Sequence, residues 1–126
     1  MYRILIVDDE PEIVNILELL LKTKGFEVVT ACGGAKGIEA IKSGIKIDLL
    51  VLDKKMPKLD GLAVLKELKK SQDKIPVIIL TGSLSRSFSK EDVKDISQFK
   101  ISYLSKPIEF EEFVKVVNRS LGISND

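Results

Sequence analysis

Four short apolar runs in this chain end in side chains able to do polar chemistry. Ile4–Val7 runs into Asp8-Asp9-Glu10, Leu49–Leu52 into Asp53, Val77–Leu80 into Thr81, and Ile101–Leu104 into Ser105-Lys106-Pro107. Two carboxylates ~4 Å apart at an effective dielectric near 20 repel by about 4 kcal/mol. Asp8, Asp9 and Asp53 in one pocket would therefore need a cation or a raised pKa. Hard oxygen donors with open positions suit Mg²⁺, which keeps waters and accepts phosphate oxygens. Add the Lys106 ammonium and the Thr81 hydroxyl, and the set matches phosphoryl transfer, where catalysis is mostly positioning and charge neutralisation. A carboxylate can itself be the nucleophile, giving an aspartyl phosphate. Asp53 fits that part, because Asp8 and Asp9 sit in tandem, well placed to hold metal.

What the chain lacks narrows the chemistry further. It has no histidine and one cysteine, Cys32. Ser-His-Asp and Cys-His catalysis, His-ligated zinc, a Cys-rich metal site and an intrachain disulfide are all excluded. Twenty Lys and Arg against nineteen Asp and Glu leave a formal charge of +1, which gives no bulk attraction to nucleic acid or to an anionic membrane. No apolar run is long enough for a transmembrane helix, and Met1-Tyr2-Arg3 followed by Ile4–Val7 is too short for a signal-peptide core. A cytoplasmic setting is the expectation.

The elements that must position these residues follow from hydrophobic period. At 126 residues the chain is expected to form one domain over 1–122, with 123–126 as a frayed tail. Ile4–Val7, Leu49–Leu52 and Val77–Leu80 are continuously apolar, as strands covered on both faces are; Phe26–Val29 and Ile101–Leu104 are weaker runs. Between them lie helical periods. Ile13, Ile16, Leu17, Leu20 and Leu21 share one face of a first helix, and Ile38 and Ile41 mark a second that ends near Gly44. Asp60-Gly61 opens a third with Leu62, Leu65 and Leu68 inward, and Phe110, Phe113, Val114, Val117 and Leu121 define the last. The serine-rich stretch 83–90 is expected to be a loop leading into a short helix near 91–99. Five strands alternating with five helices predict an α/β fold with a doubly wound parallel sheet, helices on both faces and right-handed crossovers. Ligands bind such sheets beyond the carboxyl ends of the strands, where the order reverses. The first strand beside the third would bring Asp8, Asp9 and Asp53 into one crevice flanked by Thr81 and Lys106.

The motifs Ile-Val-Asp8-Asp9-Glu, Leu-Asp53-Lys-Lys-Met-Pro-Lys-Leu-Asp-Gly61, Leu-Thr81-Gly and Tyr103-Leu-Ser-Lys106-Pro107, in this order, resemble the response-regulator receiver domains of two-component signalling. The similarity runs from Ile4 to about Leu121. It implies a single (βα)5 domain with strand order 2-1-3-4-5. It also implies that Asp53 accepts a phosphoryl group from a phosphohistidine on a sensor histidine kinase or a histidine phosphotransfer protein. Under the same resemblance Asp9 holds Mg²⁺ directly and Asp8 through water, with Asp53 and the backbone carbonyl of Lys55 as further ligands. Lys106 contacts the phosphoryl oxygens, the Lys106–Pro107 bond is cis, Thr81 swings its hydroxyl onto the phosphoryl group, and the Tyr103 ring follows behind it. The switched surface is the face of the fourth helix, fifth strand and fifth helix, and the output is a downstream effector protein.

Two other functions compete with this one. A degenerate receiver would only bind partners. A phosphohydrolase of the haloacid-dehalogenase type shares the Asp, Thr, Lys and Mg²⁺, but it wants an Asp-x-Asp motif where this chain has adjacent acids. A receiver would not be an enzyme in the turnover sense, catalysing only its own phosphorylation and dephosphorylation. A phosphorylation-dependent homodimer is compatible with the reading; direct contact with nucleic acid or membrane is not expected.

Overall fold

The computed structural model describes residues 1–53, 61–71, 74–82 and 99–125. Along the chain these form β1 (Arg3–Asp8), α1 (Pro11–Thr23), β2 (Glu27–Cys32), α2 (Gly34–Lys42), β3 (Leu49–Asp53), α3 (Gly61–Ser71), β4 (Pro76–Thr81), β5 (Lys100–Ser105) and α4 (Phe110–Leu121). The predicted loop at 83–90, most of the predicted helix near 91–99, and Asp60 ahead of α3 lie outside the described residues.

The five strands are parallel and ordered β2-β1-β3-β4-β5, the doubly wound order expected. The three runs read as doubly covered are the central strands: every residue from Ile4 to Asp8, Leu49 to Asp53 and Val77 to Thr81 is buried. β2 and β5 are the edges and carry mostly exposed and half-buried residues. Two-residue alternation splits the apolar side chains into two layers. Leu5, Val7, Leu50, Leu52, Val77 and Ile79 pack under α2 and α3, with Tyr103 of β5 against the same layer. Ile4, Ile6, Leu49, Val51, Ile78 and Leu80 pack under α1 and α4.

The helices hold their faces with some rotation from the sequence expectation. In α1 the buried residues are Val14, Leu17 and Leu21, while Ile16 is 47% exposed. An α-helix seats only a stripe on a twisted sheet, so with apolar residues around more than half the helix, some are left outside it. Phe110 is likewise exposed at the start of α4, where Phe113, Val116 and Val117 fill the core. Hydrogen bonds hold residues 122–125 beyond the end of α4. Gly122 adopts a left-handed cap at φ 74°, Ile123 N–H donates to the Asn118 carbonyl, and the Asn125 side chain bonds both Asn118 and the Lys115 carbonyl. The cap turns the chain back on the helix, giving those polar groups partners.

Candidate functional site

Register brings the acids together. The last paired residues of β1 and β3 are Val7 and Leu52, so Asp8 and Asp53 emerge one step further at the same level of adjacent strands. Period two puts both on the α1 side of the sheet, beyond Ile6 and Val51. Asp8 is fully buried and Asp53 is 5% exposed. At the turn into α1, Glu10 N–H donates to Asp8 Oδ1 at 3.0 Å and fixes that carboxylate. Pro11, preset for a first helical turn, then starts α1. This short turn also carries Asp9, half-buried, and Glu10, exposed, to the same crevice.

Lys106 enters from the far side. Its N–H donates to the Thr81 carbonyl at 2.8 Å, extending the β4–β5 ladder by one bond past the Thr81–Ser105 pair. The Lys106–Pro107 peptide is cis. From there the lysine stem reaches across the end of β4, and Nζ lies 2.8 Å from Glu10 Oε1 and 3.3 Å from both Asp8 Oδ2 and Asp53 Oδ2. Burial disfavours the ammonium, but the Glu10 hydrogen bond and the charges of Asp8 and Asp53 outweigh it and hold its pKa well above the ordinary lysine value.

Among the described residues one ammonium does not balance the site. Asp8, Asp9, Glu10 and Asp53 each offer a carboxylate oxygen, all within 4.8 Å of one another. At that separation each pair repels by about 3–4 kcal/mol at an effective dielectric near 20. Asp8 Oδ2 is buried and, among the described residues, accepts no hydrogen bond of good geometry, with Lys106 as its compensating charge. An all-oxygen, net-negative donor set with a buried oxygen short of donors fits a hard divalent cation.

Thr81 is 3% exposed at the end of β4 and lies on the same sheet face as Ile79, whose partner across the ladder is Tyr103. Tyr103 is half-buried on edge strand β5, and that burial pushes its phenol pKa up. Thr81 and Tyr103 are thus diagonal neighbours on one face, two residues apart along the strands.

The structure therefore gathers Asp8, Asp9, Asp53 and Lys106 at one point, with Thr81 at the adjacent strand end and Tyr103 behind it. Lys55 lies outside the described residues. Glu10 is the participant that sequence reasoning passed over. Its acid type and its place after Asp9 were visible, but its reach to Lys106 depends on the tight turn into α1.

A doubly wound parallel sheet with acids converging at its switch point and a lysine from the last strand defines a receiver-type protein. The chain belongs to the response regulator receiver domain family, which matches residues 4–118. It is 34% identical over 121 residues to the transcriptional regulatory protein GlrR of Escherichia coli, covering 94% of this chain and 26% of that protein. To the uncharacterized transcriptional regulatory protein YkoG of Bacillus subtilis it is 35% identical over 119 residues, covering 94% of this chain and 50% of the other. The chain thus spans between a quarter and a half of these curated relatives. Among solved structures it resembles the response regulator TrrA of Thermotoga maritima in complex with Mg²⁺-BeF, with a TM-score of 0.79, 33% identity, and 96% of this chain and 100% of that chain covered. A CheY-like receiver domain protein from Methanospirillum hungatei gives a TM-score of 0.81 at 25% identity, covering 97% of this chain and 94% of the other. Among the described residues no helix is long and apolar enough to cross a membrane.

Proposed function

We propose that this receiver domain accepts a phosphoryl group on Asp53 from a phosphohistidine of a sensor histidine kinase or a histidine phosphotransfer protein. The observation that carries the reading is the shared Lys106 ammonium, 3.3 Å from Asp53 and from Asp8, in a pocket where, among the described residues, carboxylates outnumber cations. An Asp53 oxygen attacks phosphorus, the P–N bond of the phosphoimidazole breaks, and the leaving nitrogen keeps its electron pair and takes up a proton. Asp53 is left as an acyl phosphate. Asp8, Asp9 and Asp53, with the Lys55 backbone carbonyl, would hold Mg²⁺, whose charge offsets that of the incoming oxygens. Lys106 stays cationic through the neutral range and supplies the second positive charge. Thr81 turns its hydroxyl to the phosphoryl oxygens, and Tyr103 moves with it.

Phosphorylation replaces one carboxylate charge by about −1.5 to −2 and adds acceptor oxygens. A group that binds better in one arrangement of Thr81, Tyr103 and Lys106 shifts a pre-existing equilibrium, by about 1–3 kcal/mol for a typical coupling. The readout then involves β5, α4 and the segment between β4 and β5. Because the phosphoryl group is taken up once per cycle, the domain acts as a relay or switch on an effector protein rather than as a turnover enzyme, in a cytoplasmic setting. The partner-only reading is disfavoured because it leaves the buried charges of Asp8 and Asp53 without a use.

Borohydride reduction of phosphorylated protein tests the assignment, because it converts an aspartyl phosphate to homoserine. Peptide mapping should find the conversion at Asp53. Conversion at another acid, or none in protein that has gained a phosphoryl mass, would overturn it.

A further inference from the structure

Among the described residues, the shortest charge contact in the site belongs to a side chain that the phosphoryl-transfer reading does not use. Lys106 Nζ lies 2.8 Å from Glu10 Oε1, against 3.3 Å for Asp8 and Asp53. The Glu10 backbone is fixed by its bond to Asp8 Oδ1 and by its carbonyl, which accepts from Val14 N–H. Its side chain caps nothing in α1 and is 55% exposed. Lys106, by contrast, is only 16% exposed. When the pair opens, water can take up the glutamate, while the ammonium keeps Asp8 and Asp53 and has a donor free for another anion. Glu10 is therefore the partner that Lys106 can exchange at least cost.

We propose that Glu10 is a positioning residue that holds the Lys106 ammonium until phosphoryl oxygens compete for it, while its charge strengthens the pocket's grip on a divalent cation. The inference rests on the phosphoacceptor reading and adds to it a residue with two opposed effects. With its carboxylate oxygen within 4.8 Å of those of Asp8, Asp9 and Asp53, Glu10 adds attraction for a cation and repulsion for an incoming phosphoryl group. It also occupies the hydrogen bond that Lys106 must give to that group.

Glu10→Gln keeps the side-chain length and an acceptor oxygen but removes the charge. Mg²⁺ affinity by calorimetry should fall about threefold to fivefold, the span of a partly exposed charge contact. The rate of phosphoryl uptake from phosphoramidate at saturating Mg²⁺ should rise by a similar factor. Glu10→Ala should move both quantities in the same directions. Loss of fold would weaken both together, so shifts of opposite sign separate a positioning role from a structural one. Uptake unchanged or slowed at saturating Mg²⁺, or an unchanged cation affinity, would overturn the proposal. A wild type that takes up no phosphoryl group would instead remove the phosphoacceptor reading, before any variant is compared.

Discussion

Asp8 and Asp53 stand level on adjacent strands and share one ammonium, each with an Oδ2 3.3 Å from Lys106 Nζ. Neither is more than 5% exposed, so little of their repulsion is relieved by water. The fold thus keeps charge at the site at a cost to its own stability.

Neutralising Asp53 relieves that cost. Among the described residues, Asp53→Asn removes repulsions with three neighbouring carboxylates together with the attraction to Lys106, and the repulsions are expected to outweigh it. A gain of about 1 kcal/mol, or about 2–5 °C in Tm, is expected in metal-free buffer. Saturating Mg²⁺ should shrink the difference. A lower Tm for the variant would contradict the charge count.

Removing the ammonium has the opposite sign. Lys106→Met leaves buried Asp8 without its compensating charge, and breaking a buried pair costs about 3–5 kcal/mol. Urea unfolding should show a loss of that order in the absence of metal and a smaller one with Mg²⁺, which substitutes for the lost charge. A loss below about 1 kcal/mol would mean that the acids are compensated elsewhere.

Alkaline stability follows from two raised pKa values. Lys106 is held above its unfolded value, so its contribution is complete below about pH 10.4 and is lost as pH rises through the folded value. Burial keeps Tyr103 protonated in the fold when the unfolded chain ionises near pH ~10, which also lowers stability above that point. Urea midpoints between pH 8 and 11.5 should fall with pH, and less steeply for Tyr103→Phe. Parallel curves for the two proteins would rule out the tyrosine contribution.

Helix α2 sets the position of β1 through a single missing atom. A Cβ on Gly37 would meet Val7 Cγ1 at 2.8 Å and Cγ2 at 2.9 Å, and Val7 is fully buried one residue before Asp8. A β-branched side chain held in a central strand has nowhere to turn. Gly37→Ala should therefore cost about 1–3 kcal/mol despite its better helix propensity. Val7→Ala in the same chain should be less damaging than the sum of the two single changes. Strict additivity in urea unfolding would exclude the contact.

Much of this was legible in the sequence because the informative features are local. Ile4–Val7, Leu49–Leu52 and Val77–Leu80 carry their burial in composition, and each is followed at once by its polar residue. What composition does not carry is geometry beyond the strand ends. Which apolar residues of α1 face the sheet depends on how the helix rotates against it, so Val14 is buried where Ile16 is not. Glu10 is invisible as a Lys106 partner for a related reason: the two are 96 positions apart, joined only by the fold. The hold on residues 123–125 depends on the Gly122 cap turning them back onto α4, which terminal position and polarity do not reveal.

The most direct test of the account is the intact mass of the protein after incubation with phosphoramidate, with Mg²⁺ and with chelator. The account predicts the gain of one phosphoryl group with Mg²⁺, far less with chelator, and none for Asp53→Asn under either condition. Equal uptake without divalent cation, or undiminished uptake by Asp53→Asn, would contradict it.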